Sequence, residues 1–234
     1  MQARDAAKGE TTHQELTRGQ ATVARRAAES RATVPDFTLQ TEIDMESALA
    51  LRATLDGASH EGPRPSYNDM VVRACALALA EHPRVNGSYR DGRFELHSRV
   101  NVGVAVAAPD ALTTVTVLDA DIKGLAAIAR ETRALIERVR AMTITAPELS
   151  GASFTVSNLG MHGVSSFTAV VSPPQAAVLA VGEITPRAVV RAGTVVARAT
   201  MTVTLACDHR ILYGTDGARF LASVRQALEH PHRL

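Results

Sequence analysis

The chain has 234 residues, 46% hydrophobic and 21% charged, with a net charge of +1. That length fits one large domain or two small ones, the composition is that of a soluble globular protein, and the charge balance excludes a basic surface for nucleic acid. No apolar run reaches the roughly 18 residues needed to span a bilayer, and the polar start MQARDAAKGETTHQ lacks the apolar stretch of a secretory signal.

A cytoplasmic location is therefore expected. Cys75 and Cys207 are the only cysteines, each within an apolar run. They read as reduced thiols and not as a disulfide framework. No CxxC or HExxH spacing occurs, so no metal site is expected.

In chain order, residues 1–16 read as a flexible arm. Thr17 to Ser30 has helical periodicity, with Val23, Ala24, Ala27 and Ala28 on one side. Pro35 forces an extended chain. Phe37, Leu39, Thr41 and Ile43 then alternate with polar residues as a half-buried strand. Asp44 reads as the N-cap of a helix reaching Leu55, and Gly57 to Pro65 as a loop. Ser66, with Asp69 in a capping box, starts a helix whose buried stripe is Met70, Ala74, Leu77 and Ala78 and which Pro83 ends.

Tyr89–Leu96 predicts a hairpin around Asp91-Gly92. Strands are expected at Val100–Ala107 and Leu112–Leu118, and a long amphipathic helix at Gly124–Met142. Further strands are expected at Ser153–Ser157, Ala176–Val181, Ala188–Arg191 and Val195–Ala206, before a closing helix, Gly214–Glu229. The mixture is α+β.

Two segments can carry chemistry. In the first, a β run ends in Asp208-His209-Arg210 and a helix begins after Gly214. A neutral imidazole at a strand end is well suited to removing a proton. Spacing alone leaves a second reading open, a structural histidine held by Asp208. In the second, Ser153 to Gly163, strand alternation puts Thr155 and Ser157 on one face beside a glycine turn. Hydroxyls there can donate to an oxyanion. Pattern alone favours an ordinary turn of Ser, Asn and Gly, with Asn158 as a turn former and His162 solvated. Cys207 offers a rival nucleophile two residues from His209. Neighbours at i and i+2 on a strand lie roughly 6–7 Å apart, too far for a direct hydrogen bond, so a buried inert thiol is expected.

These segments join others in a familiar order: Ala24-Arg25-Arg26 with Glu29-Ser30; Val34-Pro35-Asp36-Phe37; Asn68-Asp69; His82-Pro83-Arg84-Val85-Asn86-Gly87-Ser88; Val102 to Ala107; Phe154 to Gly163; Ser172-Pro173-Pro174-Gln175-Ala176; and Asp208-His209-Arg210. With them the chain resembles the catalytic domain of the dihydrolipoamide acyltransferases, the E2 cores of 2-oxoacid dehydrogenase complexes. Chloramphenicol acetyltransferases share that fold.

The resemblance implies a chloramphenicol acetyltransferase-like mixed β-sheet with flanking helices, a single catalytic domain over 17–234, and a homotrimer. It implies acetyl-CoA as co-substrate, His209 as general base and Ser157 as oxyanion donor, the two supplied by neighbouring subunits. Asp208, Arg210, Asn158 and Gly160 stand in supporting positions. Arg25, Arg26 and Ser30 are candidates for CoA contact by position, or a solvated helix face.

Two departures stand out. The commonest form of the motif carries a second acid where this chain has Tyr213, and pairs it with an arginine where this chain has Gln20. Both halves of an ion pair are replaced together, which leaves no stranded charge. His209 is then expected to be oriented through its own backbone and neighbouring polar groups. The chain also carries no lipoyl attachment site and ends in a single leucine, Leu234, which suggests a free-standing trimer. The expected activity is acetylation of a hydroxyl on a small metabolite, similar to the tetronate O-acetyltransferases of polyketide clusters, with a downstream acetate-eliminating partner. The alternatives are an E2 core acting on lipoyl thiols, and an inactive trimeric scaffold.

Overall fold

The computed structural model describes residues 9, 11–57, 62–108 and 112–234. Most of the expected arm over 1–16 and the middle of the expected loop Gly57–Pro65 lie outside the described residues. In chain order the elements are α1 (Arg18–Thr33), β1 (Asp36–Asp44), α2 (Glu46–Gly57), α3 (Tyr67–Glu81), β2 (Gly87–Arg90), β3 (Arg93–Leu96), β4 (Val102–Ala107), β5 (Leu112–Val117), α4 (Leu125–Arg140), β6 (Phe154–Asn158), β7 (Ala177–Arg191), β8 (Thr194–Asp208) and α5 (Gly214–Glu229). No helix among the described residues is long and apolar enough to cross a membrane.

Six strands form one mixed sheet in the order β1-β8-β7-β6-β4-β5. β6 runs parallel to both β4 and β7, and the other pairings are antiparallel. β2 and β3 form a separate hairpin. Its turn places Asp91 and Gly92 at φ of 49° and 74°, the left-handed values that a two-residue turn of this kind demands.

Strand alternation sorts the sheet's two faces. Ala177, Leu179 and Val181 of β7, with Val203, Leu205 and Cys207 of β8, point into the main core beside residues of α2, α3, α4 and α5. Val178 and Ala206, one residue out of step, face a smaller cluster with Val34 and Val171. α5 buries Phe220, Leu221, Val224 and Leu228 at helical spacing. Phe220 meets Phe154 at 5.3 Å between ring centroids and the His82 ring at 6.1 Å. α3 is more central than its expected stripe. Besides Met70, Ala74 and Ala78, it buries Val71, Val72, Cys75, Ala76 and Leu79, whereas Leu77 is half-buried. A helix apolar on most sides belongs between layers.

One expectation about the strands changes. The strands expected at Ala176–Val181 and Ala188–Arg191 are one continuous strand, β7, with a register shift between Val181 and Ile184. Glu183 N–H donates to the Val164 carbonyl at that shift, which bends the strand without breaking it. Beyond the shift β7 pairs only with β8, so Pro186 sits where one edge is open. Val23, Ala24 and Ala28 are exposed and only Ser30 is buried, so this chain alone does not cover the helix's apolar side. At the other end, Leu234 is half-buried against the main core of its own chain.

Replacing Phe220 by Ala should remove the ring that joins α5 to β6 and lower the unfolding free energy by about 3–5 kcal/mol. Urea unfolding at matched protein concentration will measure it.

Candidate active site

β8 ends at Asp208, and the chain turns there into α5. Asp208 is buried. Its Oδ1 accepts from Arg210 N at 2.9 Å and from Arg210 Nε at 2.9 Å, and its Oδ2 accepts from Arg210 Nη2 at 2.7 Å. The pair is thus bidentate, the strong geometry for guanidinium and carboxylate. These hydrogen bonds hold the Arg210 pKa above its ordinary value. Arg210 Cζ lies 4.6 Å from the centre of the Tyr89 ring. Asp208 is therefore engaged by Arg210, and the reading in which it holds His209 does not stand.

His209 is exposed. Its backbone N–H donates to the Pro35 carbonyl at 3.0 Å. Its imidazole lies 4.5 Å from the Phe37 ring and 6.0 Å from the Tyr213 ring, centroid to centroid. Among the described residues the imidazole nitrogens receive and donate no hydrogen bond. They are open to a substrate thiol or hydroxyl, as a general base must be. The backbone part of the expected orientation is present. The side-chain part comes from aromatic rings and not from polar groups.

Tyr213 and Gln20 do not meet through any hydrogen bond among the described residues. Gln20 closes the capping box of α1, with its Oε1 accepting from Thr17 N at 3.0 Å. Tyr213 lies 4.8 Å beneath Arg84 Cζ, and its N–H donates to Asp216 Oδ2 at 2.9 Å. The missing ion pair is thus replaced by two unconnected local arrangements.

Ser157 is half-buried on β6, opposite Ala180 of β7. Thr155, two residues earlier, is buried and donates its hydroxyl proton to Gln175 Oε1 at 2.8 Å. Of the two hydroxyls on this face, Ser157 is the one left for an oxyanion. Asn158 shapes the turn that follows. Its Oδ1 accepts from Gly160 N at 2.8 Å, and its Nδ2 donates to Asn68 Oδ1 at 3.1 Å. A Cβ on Gly160 would lie 2.5 Å from the Gly182 carbonyl oxygen, so only glycine allows this close approach. His162 is exposed.

Ser157 and His209 are far apart within one chain. Ser157 aligns with Ala180, which aligns with Thr204, five residues before His209. Two strand spacings of about 4.8 Å and five residues of about 3.3 Å each separate them by roughly 10 Å across the sheet and 16 Å along it. Two clefts of about 300 and 190 Å³ open between α3, α5 and the C-terminus and between β1 and α5, and neither contains His209 or Ser157.

The remaining candidates lie on α1. Arg25 and Arg26 are exposed, and Arg25 lies 3.6 Å from Glu29. Ser30 is buried, and its Oγ donates to the Val171 carbonyl at 2.5 Å, which commits its only proton. Sequence reasoning gave no role to Arg84, Asn68 or Phe37. They belong to the ordered runs quoted above, but their partners are distant in sequence. Among the described residues no group of three or more His, Cys, Asp or Glu is placed to hold a metal ion.

The sheet order and flanking helices define a chloramphenicol acetyltransferase-like fold. Chloramphenicol acetyltransferase itself superposes with a TM-score of 0.56 at 16% identity, covering 87% of this chain and 94% of that one, a likeness of fold alone. The cubic core of the pyruvate dehydrogenase multienzyme complex superposes with a TM-score of 0.92 at 28% identity, covering 98% of this chain and 96% of that one. The dihydrolipoyllysine-residue acetyltransferase component of the Rhizobium meliloti pyruvate dehydrogenase complex is 41% identical over 215 residues, 90% of this chain and 48% of that protein.

The family model for the catalytic domain of 2-oxoacid dehydrogenase acyltransferases matches residues 8–234, and the chain belongs to this family. It spans about half the length of the curated relatives it matches. None of these proteins supports the expected acetylation of a tetronate hydroxyl.

Cys207 is buried in the main core, and burial first, then the charges of Asp216 and Asp208, push its thiol up to about 12. Burial likewise pushes Cys75 up. A raised pKa removes the reactive thiolate at neutral pH. At pH 8 a disulfide reagent should therefore label neither cysteine in the folded protein and both after denaturation. Cys207→Ala should keep acyl transfer within about twofold, because its buried thiol behaves as a small apolar group.

Proposed function

We propose that this chain is the catalytic domain of a dihydrolipoyl acyltransferase, passing an acetyl group between a lipoyl thiol and CoA. Residues 17–234 form that domain, and acetyl-CoA and CoA are its co-substrates. The acceptor thus moves from a hydroxylated metabolite with an acetate-eliminating partner to a thiol, in keeping with the activity named for the Rhizobium meliloti relative. Two buried free cysteines suit a reducing cytoplasm.

The observation that carries the reading is the pair of open groups. His209 has an unengaged imidazole, and Ser157 has a half-buried hydroxyl on a rigid strand. His209 accepts the proton of the attacking thiol. The thiolate adds to the thioester carbonyl, and Ser157 donates a hydrogen bond to the oxygen that becomes negative. The tetrahedral intermediate collapses, the departing thiolate takes the proton back from His209, and no acyl-enzyme forms.

The separation of the two groups within one chain supports a site shared between copies, His209 from one subunit and Ser157 from the next, in a trimer. The uncovered side of α1 supports the same arrangement. Arg25 and Arg26 are the cationic candidates for the CoA phosphates. Ser30 suits that role less, since its hydroxyl is already committed.

The protein should release CoA from acetyl-CoA with dihydrolipoamide and leave a hydroxymethyl tetronate unacetylated. Thiol release and product mass will read both. Turnover of the tetronate alone would overturn the proposal, and turnover of neither would favour a silent scaffold. Ser157→Ala should lower kcat by about 10²–10³. His209→Ala and Ser157→Ala chains co-expressed in equal amounts should recover about a quarter of wild-type activity, because one pairing in four unites an intact histidine with an intact serine around a closed ring.

A further inference from the structure

Arg84 lies between the end of α3 and the start of β2, outside every segment to which a role has been given. Its Nη2 donates to the Ile211 carbonyl, and its Nη1 lies 3.2 Å from Asp216 Oδ2. Its Cζ stands 4.8 Å from the centre of the Tyr213 ring and 5.2 Å from that of the Phe94 ring, both within cation–π range. Its Nε is buried with no partner among the described residues, an arrangement that stability alone does not favour. The guanidinium thus reaches the turn that follows His209, the first turn of α5 and the hairpin.

We propose that Arg84 is a positioning residue that acts through the Tyr213 ring on His209, and that this pair takes the place of the acid found in the commonest form of the motif. The proposal rests on His209 as the base. Asp216 fixes the Tyr213 backbone, and Arg84 fixes its ring. The imidazole then lies between two aromatic neighbours, Phe37 at 4.5 Å and Tyr213 at 6.0 Å, tilted 46° and 53° to them. Asp208 is engaged by Arg210, so among the described residues no carboxylate bonds to the imidazole. Packing between rings is the restraint that remains.

The ring of Tyr213, and not its hydroxyl, carries this role. A planar guanidinium can stack on a ring while donating in its own plane, which a lysine ammonium cannot. The identities at 84 and 213 are therefore coupled, and loss of either frees the other.

The test uses the full chain, with Arg84→Met, Tyr213→Ala, Tyr213→Phe and the double variant Arg84→Met/Tyr213→Ala, assayed with acetyl-CoA and dihydrolipoamide. Arg84→Met and Tyr213→Ala should each lower kcat about ten- to a hundredfold, the size of effect expected from a misplaced reacting group. KM for acetyl-CoA should stay within about twofold, because a misplaced base costs the chemical step and not uniform binding. Tyr213→Phe should recover at least about tenfold over Tyr213→Ala, and the double variant should be no slower than the slower single, as coupled residues require.

A crystal structure of Arg84→Met should show the Tyr213 ring displaced from His209. Unchanged kcat in folded Arg84→Met, additive effects in the double variant, or a Tyr213 ring still in place would each overturn the proposal. Tyr213 is half-exposed, so its variants remain informative if Arg84→Met fails to fold. If the wild-type protein turns over no acetyl-CoA, the acyltransferase reading fails, and the Arg84→Met structure still decides the positioning.

Discussion

β8 is hydrogen-bonded on both sides, to β1 along Asp36–Asp44 and to β7 over nearly its whole length, and at its end the chain must leave the sheet with a carboxylate still buried. A buried acid without a partner would be severely penalised. Arg210, two residues on, satisfies it through a bidentate pair and an additional bond from its own backbone. Satisfying that one charge bends the chain and turns His209 outward. It also brings Ile211 and Leu212 back into the core as the lead into α5. His209 is thus exposed because its neighbours on both sides are tied down.

The same sheet keeps Ser157 and His209 apart within one chain. β6 lies two strands from β8 and presents Ser157 far from the end at which His209 emerges. Each half is rigid where it stands. Ser157 is on a strand paired on both sides, and its turn is held by Asn158, Asn68 and the close approach of Gly160 to Gly182. Under the proposed shared site, rigid halves of this kind would keep their geometry on assembly and leave an isolated chain incomplete.

Much of this was legible in the residues. Period-two alternation located β1, the Asp91-Gly92 turn located the β2–β3 hairpin, helical periodicity located α1, and the Ser66 capping box located α3. These signals are local, set by dihedral preference and by which face meets the core. The misreadings involve what lies outside a window of a few residues. Ala176–Val181 and Ala188–Arg191 read as two strands, and no local pattern shows that one edge of β7 is open at Pro186 between them. Val23, Ala24 and Ala28 share one side of α1, and such a pattern does not say whether that side's cover comes from the same chain. Thr155 and Ser157 looked equivalent until Gln175, twenty residues away, took one of the hydroxyls. Arg84 and Tyr213 are 129 positions apart in the numbering of the chain, so no spacing rule could join them.

The outer half of β7 raises one more point. Past the register shift, that stretch of backbone faces no neighbouring strand on one side, and unpaired strands of this kind invite edge-to-edge aggregation. Pro186 has no amide hydrogen to offer an intruding chain. Pro186 therefore serves as protection, making an extended ribbon a poor template for edge-to-edge pairing with its own copies.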